Sequence, residues 1–419
     1  MCHYDTSSYI IVTSYIEREI RSIASRALKT MPVVVITGMR QTGKTTFLQN
    51  DPLFKKLGYI SLDDFATLQT ALSQPEALLA SDDRLIIDEA QKAPALLTAI
   101  KKVVDKNRSV GRFVLSGSAN FALLKGMSET LAGRALYLTL QPFSRREVQG
   151  TIKQQPFLVR LLSAKDVPSL QAGISVDVGD ILRGGMPPVA ALSSIETPLW
   201  FRGFEQTYVE RDIRDLARVE DMLGFRNVIK LASLRSGQIL NMSQLARDAR
   251  LSVVTTTRYL QLAETSFLFR RLSPFLRNRS SRLIKSPKLY VADSGLACHL
   301  AGVESMGSRD EEPMRGVLFE TYVLQNISSI LDAHLPNAGI AYWHVQGRHE
   351  VDFIIENGNK CIAIELKAST RWSESDLTSL KIFAEKTPSC QASLLAYNGT
   401  ETARIGPKLW AVPMEVMLG

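Results

Sequence analysis

Short apolar runs alternate with amphipathic stretches over the first 160 residues. The runs MPVVVITG, YISLDD, RLIIDEA, RFVLSGS and ALYLTLQPF are separated by segments with helical periodicity. Continuous apolar runs of this length are typical of strands buried on both faces of a parallel sheet, and their alternation with helices is the βαβ pattern. Residues 1–160 are therefore predicted to form an α/β domain that starts with a helix over residues 14–30.

The remaining residues show three further patterns. Residues 161–235 are mostly helical and are broken by the turn ILRGGMPP, which predicts a helical lid or linker. Residues 236–300 are typical of a small winged-helix unit, with Ser243 and Ser252 each opening a short helix. Residues 301–419 follow the order helix, strands, helix, so we predict a further α/β domain there.

Composition narrows the class of protein. Of 419 residues, 45% are hydrophobic and 22% are charged, which is usual for globular domains. No apolar stretch approaches the roughly 18 residues that span a bilayer, and the N-terminus lacks a signal core. Four cysteines without CxxC spacing favour neither a disulfide framework nor a zinc site. We therefore expect a cytoplasmic protein without a membrane partner. The net charge of +8 weakly favours an anionic binding partner.

A glycine-rich segment lies between the first predicted strand and the following helix. Its sequence GMRQTGKT fits GxxxxGK[ST], the loop whose backbone N–H groups face nucleotide phosphates. Lys44 is suited to neutralising the terminal phosphates, and the Thr45 hydroxyl to binding Mg²⁺. ATP and Mg²⁺ are the predicted cofactors, although the motif leaves GTP open. The predicted loop consists of Gly38, Met39, Arg40, Gln41, Thr42, Gly43, Lys44, Thr45 and Thr46.

Acidic and small polar residues end two other predicted strands. After the apolar run at 85–87, Asp88 is suited to holding the metal and Glu89 to polarising the attacking water. Two solvated acids at a strand end are the alternative, which the phosphate loop disfavours. In the run at 112–120, Asn120 is our first candidate for contacting the γ-phosphate and Ser116 the second, and either is equally suited to capping a helix.

These motifs resemble those of a known family. The segments ERE, TGMRQTGKTT, ISLDD, IIDEAQKAP, LSGSANF and LAGRA are similar to those of bacterial and archaeal AAA-type ATPases with a C-terminal domain of unknown function, and YVERDIRDL, LYVADSGL, EVDFII and AIELK continue the resemblance. It implies a P-loop fold with an additional strand and a homo-oligomer, for which a hexameric ring is one expected form. An arginine from one subunit would then complete the next subunit's site. Arg134 is the candidate for that role, and a surface salt bridge is the alternative.

A basic segment follows the predicted helix-turn-helix. Cations on a wing beside a recognition helix suit contact with DNA phosphates, and Arg258 on the second helix could enter a groove. Winged helices also serve as lids or as protein-docking modules, which stays open. The basic residues between 268 and 292 are Arg270, Arg271, Arg277, Arg279, Arg282, Lys285 and Lys288.

Acidic residues and a lysine recur in the C-terminal region. Glu365 and Lys367 lie two apart on one predicted strand and share a face, and Asp352 is expected across the hairpin. With Glu320 on a covering helix, this pattern resembles the PD-(D/E)xK nuclease fold, which implies a divalent-metal site with Glu320, Asp352 and Glu365 as ligands and Lys367 beside the attacked phosphate. Val351 replaces the proline of the motif, and such a fold can also persist as a binding platform.

The sequence thus predicts an AAA-type ATPase that couples ATP hydrolysis to binding, remodelling or translocation of nucleic acid. The predicted fold is α/β: an AAA-type P-loop sheet with a helical lid, a winged helix and a nuclease-like domain. One alternative is an ATP-gated, metal-dependent nuclease. The other is a nucleotide-switched scaffold, against which the presence of Glu89 argues.

Overall fold

A computed structural model describes most of the chain. The described residues are 15–118, 130–163, 175–212, 219, 221–276, 282, 284–307, 313–345 and 348–419. None of the helices in these ranges is long and apolar enough to cross a membrane.

A five-stranded parallel sheet organises the N-terminal region in the order β2-β3-β4-β1-β5. Because β4 lies between β1 and β3, one strand separates the phosphate loop from the acidic pair, as the resemblance implied. All residues of β1, β3 and β4 are buried, which explains their continuous apolar runs. The strands are β1 (Val33–Thr37), β2 (Gly58–Ser61), β3 (Leu85–Asp88), β4 (Phe113–Gly117) and β5 (Ala135–Thr139).

Helices cover both faces of this sheet. The first helix begins at Arg21, so the start predicted near residue 14 is wrong. Residues 15–18 are not helical, and Arg18 and Glu19 instead form buried ion pairs with a later helix. The helices are α1 (Arg21–Thr30), α2 (Lys44–Asn50), α3 (Phe65–Ser73), α4 (Pro75–Leu79), α5 (Pro94–Lys106) and α6 (Arg145–Gln149).

The middle of the chain is helical. A π-helix at Glu205–Asp212 continues directly from α9. In the helix-turn-helix, Ser252 caps α12 as predicted, whereas Asn241 rather than Ser243 caps α11 by accepting from the Gln244 N–H at 3.0 Å. The helices are α7 (Phe157–Ser163), α8 (Val178–Arg183), α9 (Glu196–Phe204), α10 (Met222–Leu234), α11 (Met242–Asp248) and α12 (Val253–Thr265).

An eight-stranded mixed sheet spans the C-terminal part, in the order β12-β13-β11-β10-β9-β8-β6-β7. Its strands are β6 (Phe269–Pro274), β7 (Lys288–Val291), β8 (Gly339–Val345), β9 (His349–Asn357), β10 (Lys360–Lys367), β11 (Cys390–Tyr397), β12 (Ala403–Gly406) and β13 (Leu409–Pro413). The expected hairpin is β9–β10, with Lys360 opposite Asn357. Ser273 and Pro274 of β6 pair with β8, so the sheet crosses the boundary that we expected at residue 300.

Helices pack on both faces of this sheet. Phe383 of α15 lies in a cluster with Ile354 and Leu395 on one face. On the other face, Phe319 of α14 shares a large core with Phe353 and with residues of the helical middle. The middle and C-terminal regions are therefore built around one apolar core. The helices are α13 (Ser294–Ala301), α14 (Arg315–His334), α15 (Thr378–Lys386) and α16 (Met414–Leu418).

Candidate functional site

The phosphate loop adopts a backbone that requires glycine at two positions. Gly38 has φ 148°, and a Cβ there would lie 2.4 Å from the carbonyl oxygen of Leu140. Gly43 has φ 87° and precedes the first residue of α2, Lys44. The loop therefore turns sharply between β1 and α2, through backbone conformations that glycine adopts readily.

The side chains of the other loop residues are either packed against the protein or exposed. The side chain of Met39 is buried in the large core described above, and the Thr42 hydroxyl donates to the Met39 carbonyl at 2.8 Å. Arg40 and Gln41 are exposed, as is Thr46 at the start of α2.

Lys44 is folded back onto the loop. Its ammonium group is buried and donates to the carbonyls of Gly38 at 3.0 Å and Met39 at 2.9 Å. Burial lowers the pKa of Lys44 to about 8, while the nearby carboxylates of Glu89 and Asp88 oppose that shift. The loop carbonyls thus hold this cation in the place where the motif predicts terminal phosphates.

Asp88 accepts hydrogen bonds from two neighbouring strands, from a helix and from the next residue in the chain. Its Oδ2 accepts from the hydroxyls of Thr45 at 2.6 Å and Tyr59 at 2.8 Å. Its Oδ1 accepts from the Ser116 hydroxyl and from the Glu89 N–H, the latter at 3.1 Å. The carboxyl ends of parallel strands lie at the same end of a sheet, so residues that are distant in the sequence come into contact there. The hydroxyl and carboxylate oxygens of Thr45 and Asp88 are the hard ligands that suit Mg²⁺ beside a phosphate.

Glu89 has a backbone conformation that is rare for residues other than glycine, with φ 56° and ψ 40°. Its carboxylate accepts from the side-chain amide of Gln91, which also donates to the Ser118 hydroxyl at 3.4 Å. Burial raises the pKa of Glu89, and the Gln91 hydrogen bond and Lys44 oppose that rise. The acid is thus held in a fixed orientation and its basicity is increased.

Two residues of this site were missing from our predictions. Tyr59 carried no sequence signal, because its role depends on β2 lying next to β3. Gln91 follows the acidic pair and lies within IIDEAQKAP, so its proximity to Glu89 was available as a signal. Ser116, our second candidate, contacts Asp88, and Asn120 lies outside the described residues.

Arg134 lies at the amino-terminal end of the strands, opposite the end that carries the phosphate loop. It directly precedes β5, whose Thr139 end aligns with Thr37 before the loop. Its guanidinium makes two hydrogen bonds to the Asp105 carboxylate, at 2.6 and 2.8 Å. Within its own chain this arginine therefore forms an ion pair away from the site, and action on a neighbouring subunit stays a prediction.

A second cluster of charged side chains lies on the C-terminal sheet. The buried carboxylate of Asp352 accepts from the Leu366 N–H at 2.8 Å, beside Glu365 and Lys367, whose charged atoms are 3.8 Å apart. Glu320 accepts from the Tyr290 hydroxyl at 3.0 Å. The structure thus brings the four predicted residues of this cluster together, in the hairpin register that the sequence indicated.

Lys288 and Glu350 also belong to this cluster, although we did not predict them there. Lys288 is buried on β7 and pairs with Glu350. From the sequence we had assigned Lys288 to the basic segment. Its contact with Glu350 depends on the order of strands in the sheet, which the sequence does not show. Two lysines and four carboxylates therefore meet here.

Burial and mutual repulsion disfavour ionisation of the carboxylates in this cluster. Burial is the main cause that raises the pKa values of Glu320, Asp352 and Glu365, and Asp352 adds to the rise at the other two. The Oε2 atom of Glu365 is buried with no hydrogen-bond partner in the described structure. Across the described ranges, no three His, Cys, Asp or Glu residues are close enough to hold a metal ion. The predicted three-carboxylate ligand set is therefore not assembled in this conformation.

The basic segment is largely neutralised by acids from other elements. Arg271 pairs with Glu264 and Arg282 with Glu356. Arg270 lies 3.7 Å from Asp332. Arg277 and Arg279 lie outside the described residues, whereas Arg258 and Lys285 are exposed. Glu264 lies just before the segment, whereas Glu356 and Asp332 come from distant parts of the chain, so the segment itself looked uniformly basic in the sequence.

Comparisons with known proteins assign a type to the N-terminal domain. Residues 30–149 match a family described as an AAA domain. Residues 180–307 and 315–417 match two domains of unknown function, DUF8612 and DUF4143.

Two relatives extend over more than one of these regions. An uncharacterized protein of Mycobacterium tuberculosis is 29% identical over 348 residues, which cover 82% of this chain and 72% of the relative. An uncharacterized protein of Haemophilus influenzae is 24% identical over 294 residues, covering 64% and 69%.

Solved structures show weaker likeness. The Walker-type ATPase PABY2304 of Pyrococcus abyssi has a TM-score of 0.43 and 16% identity, and the match covers 68% of this chain and 96% of that one. RuvB of Thermotoga maritima has a TM-score of 0.29 and 18% identity, with 61% and 90% covered. Both scores are too low to add to the family match. The chain therefore carries an AAA-type P-loop ATPase domain and, at its C-terminal end, a domain of unknown function.

Proposed function

We propose that this protein hydrolyses ATP and couples hydrolysis to binding, remodelling or translocation of nucleic acid. One observation carries the ATPase assignment: Lys44, Thr45, Asp88 and Glu89 converge at the carboxyl edge of the parallel sheet. Each has the chemistry that phosphoryl transfer to water needs.

The residues of the site divide the work between them. With nucleotide bound, Lys44 would exchange its hydrogen bonds to the loop carbonyls for the terminal phosphates, and Thr45 and Asp88 would hold Mg²⁺. The metal supplies positive charge that offsets the charge of the phosphates. Glu89 accepts the proton of the attacking water, for which its raised pKa makes it a better base, and Gln91 keeps its carboxylate oriented.

Replacing the base tests this assignment. Glu89→Gln should retain ATP binding and lower the rate of phosphate release by at least 100-fold, because an amide does not accept the proton. Glu76→Gln, an exposed acid on α4, is the matched control and should hydrolyse ATP normally. Wild-type hydrolysis by Glu89→Gln would remove Glu89 as base. ATP binding without hydrolysis by the unaltered protein would favour the nucleotide-switched scaffold.

DNA is the proposed partner, with contacts from the basic segment and from Arg258. The net charge of +8 supports an anionic partner. Because Arg270 and Arg271 already pair with acids, we choose Arg277 and Arg279 of the same segment for substitution. Replacing the latter two by Ala should reduce the salt dependence of duplex binding by about two counterions, measured by fluorescence anisotropy. The double variant of Arg270 and Arg271 should leave that slope unchanged. Absence of DNA binding at low salt would contradict the nucleic-acid proposal.

A metal-dependent nuclease is the second candidate function. Its support is the buried Oε2 atom of Glu365, which has no hydrogen-bond partner in the described structure and lies beside Asp352 and Lys367. A bound cation there would favour the ionised carboxylates that burial now disfavours. In this proposal Asp352, Glu365 and Glu320 would have to move closer together than in this conformation to hold the metal, and Lys367 would stabilise charge on the attacked phosphate.

Cleavage assays distinguish this function from a binding platform. Asp352→Asn should abolish Mn²⁺-dependent nicking of DNA and leave ATP hydrolysis intact, because the two sites use different carboxylates. Glu374→Gln, a largely exposed acid of the same region, should cleave normally. Lack of cleavage by the unaltered protein, with no Mn²⁺ binding by calorimetry, would leave a binding platform.

A further inference from the structure

Arg18 precedes the phosphate loop by 20 residues, yet its guanidinium contacts the backbone of that loop. The side chain is buried, and Nη1 donates to the carbonyl of Thr42 at 2.7 Å. Nη2 donates to the carbonyl of Gln141 at 2.6 Å, and Nε donates to the Glu147 carboxylate at 3.1 Å. The ring of Phe143 lies 4.7 Å from the guanidinium carbon. Its position is therefore fixed from several sides.

The Thr42 carbonyl controls the direction of an N–H group that the nucleotide needs. The carbonyl of Thr42 and the N–H of Gly43 belong to one planar trans peptide, in which the two groups point in opposite directions. A hydrogen bond that holds the carbonyl toward Arg18 therefore turns the Gly43 N–H away from it. Gly43 lacks a Cβ and accepts many backbone conformations, so an external anchor is needed to select one.

We propose that Arg18 is a positioning residue of the ATP site, which holds the Thr42–Gly43 peptide so that its N–H faces the phosphates. This inference rests on the proposed ATPase function. Arg18 acts through the loop backbone and makes no contact with the nucleotide.

A buried network holds Arg18 in turn. Glu147 on α6 also accepts from the Glu19 N–H at 2.7 Å and from the Ser144 N–H at 2.9 Å. The side chains of Arg18 and Glu147 are each only 3% exposed. Buried ion pairs contribute little net stability but leave few alternative geometries, which suits a positioning role.

Lysine substitution separates positioning from general stability. Arg18→Lys keeps the positive charge but loses the planar fork that reaches two carbonyls and a carboxylate at once. We expect its affinity for ATP and ADP to fall about tenfold, as the loss of one charge-assisted hydrogen bond predicts. Arg146→Lys is the matched control. Arg146 is equally buried and pairs with Glu19, but its other bonds go to the carbonyls of Thr151 and Gln154.

Isothermal titration calorimetry with each nucleotide gives the result. Arg146→Lys should lose stability but keep its nucleotide affinity. Equal affinities of Arg18→Lys and the unaltered protein, or equal losses in both variants, would overturn the inference. Failure of the unaltered protein to bind nucleotide would instead contradict the proposed function.

Hydrogen exchange supplies a readout that needs no nucleotide. Amides of residues 38–46 should exchange faster in Arg18→Lys than in Arg146→Lys, and unchanged exchange would contradict positioning by Arg18. If Arg18→Lys does not fold, Glu147→Gln replaces it, because it weakens the support of the Arg18 Nε atom. Nucleotide affinity should then fall by a smaller factor, and an unaltered affinity in folded Glu147→Gln would also overturn the proposal.

Discussion

At the scale of single residues, the site depends on one buried carboxylate with many donors. Asp88 accepts hydrogen bonds from the hydroxyls of Thr45, Tyr59 and Ser116 and from one backbone N–H. Such a charge is stable away from water because its donors replace the lost hydration. Each donor should therefore matter for folding as well as for metal binding.

Removal of the Ser116 hydroxyl tests this dependence. Ser116→Ala should lower the free energy of unfolding by about 1.5–3 kcal/mol, as expected for a hydrogen bond to a buried charged group. Urea unfolding without nucleotide measures the change. Ser233→Ala is the control, because this equally buried hydroxyl donates to a helix carbonyl and should contribute less. Equal losses in the two variants would show that Asp88 does not depend on Ser116.

At the scale of elements, α14 connects the two candidate sites. Glu320 lies in its first half, within the C-terminal cluster, while its later residues contact the ATPase domain. The side chain of Asn326 accepts from the Arg145 N–H at 2.6 Å, and Asp332 accepts from Gln141 at 2.8 Å. His334 at the helix end lies 3.0 Å from Glu19. One rigid helix therefore spans from the C-terminal carboxylates to the network around Arg18.

Truncation of Asn326 measures the strength of this connection. Asn326→Ala leaves the buried N–H of Arg145 without its partner, so we expect a loss of about 1–3 kcal/mol in the free energy of unfolding. Ser329→Ala on the same helix should be neutral or stabilising. Its hydroxyl is buried and has no hydrogen-bond partner in the described structure. A neutral Asn326→Ala would mean that α14 is not tied to the ATPase domain at this point.

At the scale of the whole molecule, the continuous C-terminal sheet and shared core join regions that we expected to be separate domains. The strand pair β6–β7 lies at the edge of the sheet that carries Asp352 and Glu365. The sheet of the ATPase domain is separate. Arg134 lies at the amino-terminal end of its strands, whereas the phosphate loop lies at their carboxyl end. That position would allow the arginine to act on a neighbouring subunit in the homo-oligomer that the family resemblance implies.

Two substitutions at one ion pair test the subunit contact. If Arg134 completes a neighbour's site, Arg134→Ala should reduce ATP hydrolysis by about 10³-fold or more. Asp105→Asn breaks the same ion pair but keeps the arginine, so its activity should be near normal. The pair itself should contribute little to stability, because both groups are accessible to water, which screens their attraction. Small and equal effects of both substitutions would assign Arg134 to the ion pair alone.

The sequence by itself determined the features that depend on neighbouring residues in the chain. The phosphate loop was predictable because its glycines, Lys44 and Thr45 lie in one short segment with a fixed spacing. The buried parallel strands were predictable from their apolar runs. The β9–β10 hairpin was predictable from its turn, and its register places Phe353 opposite Ile364, next to Asp352 and Glu365.

Tertiary structure decided which distant residues meet. Tyr59 reaches Asp88 because β2 lies beside β3, and Lys288 leaves the basic segment to pair with Glu350 because β7 belongs to the C-terminal sheet. Arg18 reaches Thr42 because Glu147 of a later helix holds it there. Strand order and helix docking arise from burial of apolar surface over the whole chain. Because this driving force is non-directional, no local pattern of residues encodes these contacts.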